Sequence, residues 1–141
     1  MLNIKIGADP ELFVTKGGQF RSAHGLIPGT KEKPFPVENG AVQVDGMALE
    51  YNIDPATTAD EFVLYNQSVL GQLKAMVPDY EFAIVPSCRF NGNHFRVQPD
   101  EAKELGCTRN PTTRRLRGLR AATSISVSSI RVTPIRCRMT T

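Results

Sequence analysis

The stretch GAVQVDGMALEYNI, residues 40–53, sets the strongest constraint on the fold. Its large apolar and polar residues alternate, the period-2 signature of a strand with one buried face. Read as one long strand over Ala41–Ile53, it places Met47, Leu49, Tyr51 and Ile53 on one side. Ala48, Glu50 and Asn52 fall on the other, which is expected to face a cavity. Asp45 joins the apolar side unless Gly46 makes a bulge, as glycine in a strand often does. Asp54-Pro55 ends the strand, because proline removes a ladder donor.

A sheet needs further strands and something to cover it. LNIKIG alternates and continues through ELFV as a first strand, with Asp9, Glu11 and Phe13 on one side and Leu12 and Val14 on the other. TKGGQF reads as a hairpin turn, and the Pro- and Gly-rich segment SAHGLIPGTKEKPFPVENG as a loop. Thr58 with Glu61 forms a capping-box pattern at the head of a helix whose stripe is Phe62, Val69, Leu70, Leu73 and Val77. YEFAIVPSCRF reads as a third strand, and PDEAKELGC as a short helix stopped by Gly106. This order predicts an α+β fold, a mainly antiparallel sheet with helices on one face.

A length of 141 residues suits one domain or part of one. No run is long and apolar enough to span a membrane, and the acids by position 11 argue against a secretory leader. Cys88, Cys107 and Cys137 lack a CxxC pair, which points away from a disulfide framework or zinc site and toward a reducing cytoplasm. The net charge of +3 hides a split. Up to Cys107 nine Lys and Arg face fourteen Asp and Glu, whereas from Thr108 onward there are eight arginines, no lysine and no acid. The expected organisation is therefore a body over residues 1–107 and a basic, poorly packed tail over 108–141.

If the first and long strands are neighbours, Glu11 and Glu50 meet on one face. Two adjacent carboxylates stay ionised together only with a cation between them. Hard oxygen donors suit Mg²⁺, with waters and substrate phosphates completing its shell. Spacing alone leaves a second reading open, a half-exposed strand whose carboxylates are merely solvated. Lys31 and Lys33 in GTKEKP lie beside glycine but lack the P-loop pattern. His24 and His94 are isolated histidines expected to carry no ligand role, and Cys88 reads as a small buried hydrophobe.

Taken together and in this order, GADPELFV, GLIPGTKEKPFPV and GAVQVDGMALEYNI resemble the phage-encoded carboxylate–amine ligases (COOH–NH2 ligase, type 2), a family similar to glutamate–cysteine ligase and glutamine synthetase. The resemblance covers roughly residues 4–107. It implies a curved, glutamine synthetase-like antiparallel sheet and ATP-dependent amide formation through an acyl phosphate. It further implies that Glu11 and Glu50 ligate Mg²⁺ with Asp9 and Asp45 in support. By the same resemblance Lys31 neutralises a phosphate or substrate carboxylate, and Asn52 orients the nucleotide. The implied partners are small-molecule or peptide carboxylates and amines, in the host cytoplasm, with no membrane.

After ELGC the family pattern calls for Asp-Pro and later for RTAGGHIHIG, whose histidine–x–histidine strand faces the nucleotide. This chain instead reads TRNPTTRRLRGLRAATSISVSS. Shifting the reading frame by one base converts GLRAATSISV, residues 118–127, into RTAGGHIHIG when suitable wobble bases are chosen. Each shifted codon reaches only a few residue types, so ten consecutive matches are improbable by chance. The expectation is a frameshift just after Cys107, and a truncated, inactive ligase. The alternative is a non-catalytic remnant or interaction module that binds nucleic acid weakly through its arginines. These lack interleaved aromatic platforms, so base stacking is unsupported.

Overall fold

The computed structural model describes residues 4–103 and 124–126. A six-stranded antiparallel sheet carries the fold. It is built from β1 (Glu11–Lys16), β2 (Gln19–Arg21), β3 (Phe35–Val37), β4 (Gly40–Asp45), β5 (Ala48–Ile53) and β6 (Glu81–Ala83). The main order is β2-β1-β5-β4-β3, and β6 pairs with β1. Val14 and Thr15 pair with both β2 and β6, so both edges of β1 are used there. Helix α1 (Ala59–Met76) lies between β5 and β6 in the chain. Strand β7 (Ser87–Arg89), α2 (Gly92–Arg96) and α3 (Asp100–Lys103) follow, and β8 (Ser124–Ser126) pairs antiparallel with β7.

The long strand expected over Ala41–Ile53 is two strands. Asp45 and Ala48 pair across a two-residue turn of Gly46 and Met47. Gly46 has φ 61°, the left-handed conformation that glycine supplies at the head of a type II′ hairpin turn. The first strand also begins later than expected, at Glu11. Before it only Ile6 bridges to Ala56, while the carbonyls of Ala8 and Pro10 accept from Ile53 and Tyr51. The Gly17-Gly18 turn joins β1 to β2 as expected, with both glycines at positive φ. The segment read as YEFAIVPSCRF breaks into β6 and β7, and the proline-rich loop holds β3.

Thr58 caps α1 through a full capping box with Glu61, a motif whose loss costs about 1 kcal/mol. Val69 and Leu73 of α1 and Val77 at its C-cap pack on Leu12, Val14, Leu49, Tyr51 and Ile53. Each such fully buried side chain contributes about 1.5–3 kcal/mol. A second cluster gathers Phe13, Met47, Ala48, Cys88, Phe90 and Ala102. Phe13, Phe20 and Phe90 meet edge to face at 6.0–6.4 Å between centroids. Phe13 and Ala48 alternate with Leu12 and Leu49, so this cluster covers the opposite side of the sheet. The one-faced arrangement therefore holds for α1 alone, since Ala102 of α3 and Phe95 of α2 pack on the other side. Met47 and Ala48 are buried there; neither joins the helix face nor lines a cavity.

Helix α2 starts at Asn91, whose side chain accepts from the amides of Asn93 and His94. His94 Nε2 in turn accepts the Ser22 amide at 2.9 Å, which ties α2 to the end of β2. Burial and the nearby Arg21 hold this imidazole below its ordinary pKa, in the neutral form that can accept. Gly106, Cys107 and most of the arginine-rich tail lie outside the described residues. Within the tail, Ser124–Ser126 make the ladder with β7.

The loop between β2 and β3 is fastened at Gly29. Its carbonyl accepts the Val44 amide at 3.0 Å, and Thr30 forms a parallel bridge to Val44. A Cβ at Gly29 would overlap the Val42 carbonyl oxygen. Gly29→Ala should therefore cost about 1–3 kcal/mol in urea unfolding. Gly71→Ala, at an exposed α1 position with no atom within 4 Å of the added carbon, should stabilise by up to about 1 kcal/mol. A neutral Gly29→Ala would show that the loop does not need this close approach.

Candidate metal centre

The β1–β5 register puts Glu11 directly opposite Glu50, and the β4–β5 register puts Gln43 on the other side of Glu50. Directly opposed side chains on antiparallel strands have Cβ atoms about 4.5–5.5 Å apart. Asp45 pairs with Ala48, two residues along from Glu50. Because the hairpin turn reverses the chain, Gln43 and Asp45 join the side of the sheet that carries Glu50. Asp45 therefore reaches the carboxylate face through the turn, with no bulge required. Glu11, Asp45 and Glu50 each offer an oxygen, and these three atoms lie within 4.8 Å of one another.

Glu50 is the buried member of the group, 7 % exposed. Its Oε2 accepts from Gln43 Nε2 at 2.8 Å, which fixes the carboxyl group. Burial, a hydrogen bond with Asp9 and the charges of Asp9 and Asp45 together raise its pKa to about 7, against the opposing pull of the Gln43 hydrogen bond. A buried acid beside other acids is expected to hold its proton when no cation is near. Asp9, before β1, is exposed and within reach of Glu50. Asn52 pairs with Ala41, one step beyond Glu50 on the same side.

Lys31 comes from the fastened loop. Thr30 and Lys33 close a turn through reciprocal backbone hydrogen bonds of 3.0 and 3.1 Å. That turn presents Lys31 Nζ to Asp45 Oδ2 at 2.5 Å. The hydrogen bond to Asp45, with the charges of Asp45, Glu50 and Glu11, raises the lysine pKa despite partial burial. The ammonium thus brings a positive charge to this cluster. A cleft of about 380 Å³ begins beside it, lined by His24, Thr30, Glu32, Asp45 and Glu101 among others. His24 Nε2 lies 3.9 Å from Glu101 Oε1 there.

Three carboxylate oxygens at this spacing, with Gln43 bracing one of them, fit a hard divalent cation. Of the six residues singled out in the sequence, Glu11, Asp45, Glu50, Asp9 and Lys31 converge, and Asn52 adjoins them. Gln43 escaped the sequence reading. Its signal was the Gln at the period-2 position before Asp45, legible only once Asp-Gly is read as a turn. Cys88 is buried as expected, its thiol pushed up to about 12 by desolvation.

The metal-free protein should carry a Glu50 signature in its pH dependence. A carboxyl raised from 4.5 to about 7 in the fold supports folding while protonated. That support is complete below about pH 4.5 and is lost as pH climbs through about 7. Between about pH 5 and about pH 8, with chelator present, wild type should lose about 1–3 kcal/mol relative to Glu50→Gln in urea unfolding. Identical pH profiles for the two proteins would place the Glu50 carboxyl in an ordinary, solvated setting.

Comparison of the chain with known protein families, curated proteins and solved structures finds no match.

Proposed function

We propose that this chain is the N-terminal part of an ATP- and Mg²⁺-dependent amidoligase with a partial glutamine synthetase-like fold. Such an enzyme joins a small-molecule or peptide carboxylate to an amine through an acyl phosphate. The observation that carries this reading is the in-register pair Glu11–Glu50, with an Asp45 oxygen within 4.8 Å of both. Magnesium, when held by Glu11, Glu50 and Asp45, would offset negative charge on a transferring phosphoryl group. The protein's own share is to hold the donors rigid. Gln43 anchors Glu50, the hairpin turn fixes Asp45, and the β1–β5 ladder fixes Glu11. Asp9 acts on Glu50 through a hydrogen bond and its charge, and Asn52, next along β5 on the same side, would orient a nucleotide. Lys31 supplies the positive charge for a phosphate or substrate carboxylate. The host cytoplasm is the compartment this chemistry suits.

In this reading residues 108–141 are an out-of-frame translation, and the donors that a histidine–x–histidine strand would supply are missing. Acyl-phosphate chemistry needs the phosphoryl charge balanced on every side and water excluded. Losing one such electrostatic partner typically costs about 10²–10³-fold in rate. The chain as written should therefore release no ADP in an amine-dependent manner, while the frame-restored chain should do so with Mg²⁺. In the restored chain Glu11→Gln should lower the rate by at least about 10²-fold. Equal activity of the two chains would show that the missing segment is dispensable and the site misassigned. Sequencing the coding DNA across the Cys107 codon tests the frame directly.

A further inference from the structure

The carboxylate group already has a cation of its own. Lys31 reaches it from a separate loop, and that loop is held by the parallel bridge of Thr30 to Val44, in which the Gly29 carbonyl accepts the Val44 amide. The contact is close, Nζ to Asp45 Oδ2 at 2.5 Å. Asp45 is only 17 % exposed at its side chain, whereas Lys31 is 51 % exposed and borders the open cleft. Lys31 is thus the solvent-facing member of the pair and Asp45 the sheltered one.

We propose that Lys31 and a divalent cation are antagonistic counter-charges to Asp45, so that metal entry among Glu11, Asp45 and Glu50 releases the Lys31 ammonium into the cleft. The inference rests on the metal reading above and adds an order of events. Two cations sharing one carboxylate repel strongly at these distances. Binding of one must weaken the hold of the other by an equal factor. Before metal arrives, Lys31 keeps Asp45 from standing uncompensated beside Glu50. After it arrives, the ammonium is free to meet a phosphate or carboxylate in the cleft. Anionic ligands are then favoured only on the metal-loaded protein, which makes Lys31 a positioning residue whose availability is set by the metal.

Mn²⁺ titration followed by electron paramagnetic resonance, on the full chain at constant pH and salt, tests the antagonism. Lys31→Met should bind Mn²⁺ at least about tenfold more tightly than wild type. Lys33→Met, which removes a charge from the same turn, should change affinity by less than about twofold. Urea unfolding checks that both variants fold. Acetic anhydride labelling of wild type, read by mass spectrometry, gives a second measure that needs no substitution. Saturating Mg²⁺ should raise acetylation of Lys31 relative to Lys33, because an amine released from Asp45 is no longer shielded by that contact. Unchanged or weaker Mn²⁺ binding by Lys31→Met overturns the proposal while leaving the metal site standing, and would make Lys31 a brace for Asp45. An unchanged labelling ratio at saturating Mg²⁺ overturns it whatever the affinities. Absence of Mn²⁺ binding by wild type and Lys31→Met alike removes both the metal reading and this inference.

Discussion

The placement of Glu50 at the centre of a three-strand row, with Glu11 on one side and Gln43 on the other, dominates this structure. Like charges directly opposed across a ladder are destabilising, and burying one of them adds a desolvation cost. The surroundings offset this in three ways. Gln43 donates to the carboxyl, the raised pKa of about 7 lets Glu50 keep a proton, and Lys31 brings positive charge through Asp45. None of these would be needed had position 50 carried a threonine or valine. The costly residue shapes its neighbourhood, and strained local choices of this kind gather where a protein does chemistry.

The rest of the fold holds that row in register. A one-residue slip of β5 would send Leu49 and Tyr51 to the carboxylate side and Glu50 into the packing under α1. Two features oppose the slip. The Gly46-Met47 turn fixes β4 against β5, and the burial of Leu49, Tyr51 and Ile53 against Val69 and Leu73 fixes the inward face. On the other side, the phenylalanine cluster around Phe13 and Phe90 closes the sheet beside the carboxylates. The three carboxylates thus sit at the margin of a packed surface, and one flank opens to the Lys31 cleft.

Alternation put Glu11 on one side of its strand and Glu50 on the polar side of the other, because period 2 is a local property; that the two meet follows only from the β1–β5 pairing. Alternation also gave the core face of β5, and the capping box gave the start of α1. Asp45 was misread, since a single strand and a hairpin share the same alternation until Asp-Gly is treated as a turn. Gln43 was hidden for the same reason. The position of Lys31 could not be read at all. It depends on how closely a loop approaches β4 at Gly29, a contact between residues 13 apart in sequence, and no local pattern encodes it. Helix α2 escaped notice because a five-residue helix offers too few residues for a helical period.

Phenylalanines pack on both sides of the sheet, but the tyrosines are confined to one. The chain has no tryptophan and three tyrosines, and Tyr51, Tyr65 and Tyr80 all belong to the α1 side. Tyr51 is buried there and its hydroxyl donates to Asn66. The carboxylate side is lined by phenylalanine. Optical probes therefore divide along the sheet. Tyrosine fluorescence and near-ultraviolet dichroism watch the helix pack against β5, whereas the surface around Glu11 and Glu50 is almost dark to them. A ligand settling on the carboxylates could leave the tyrosine signal untouched, so a silent titration in that channel would say only that the helix had not moved.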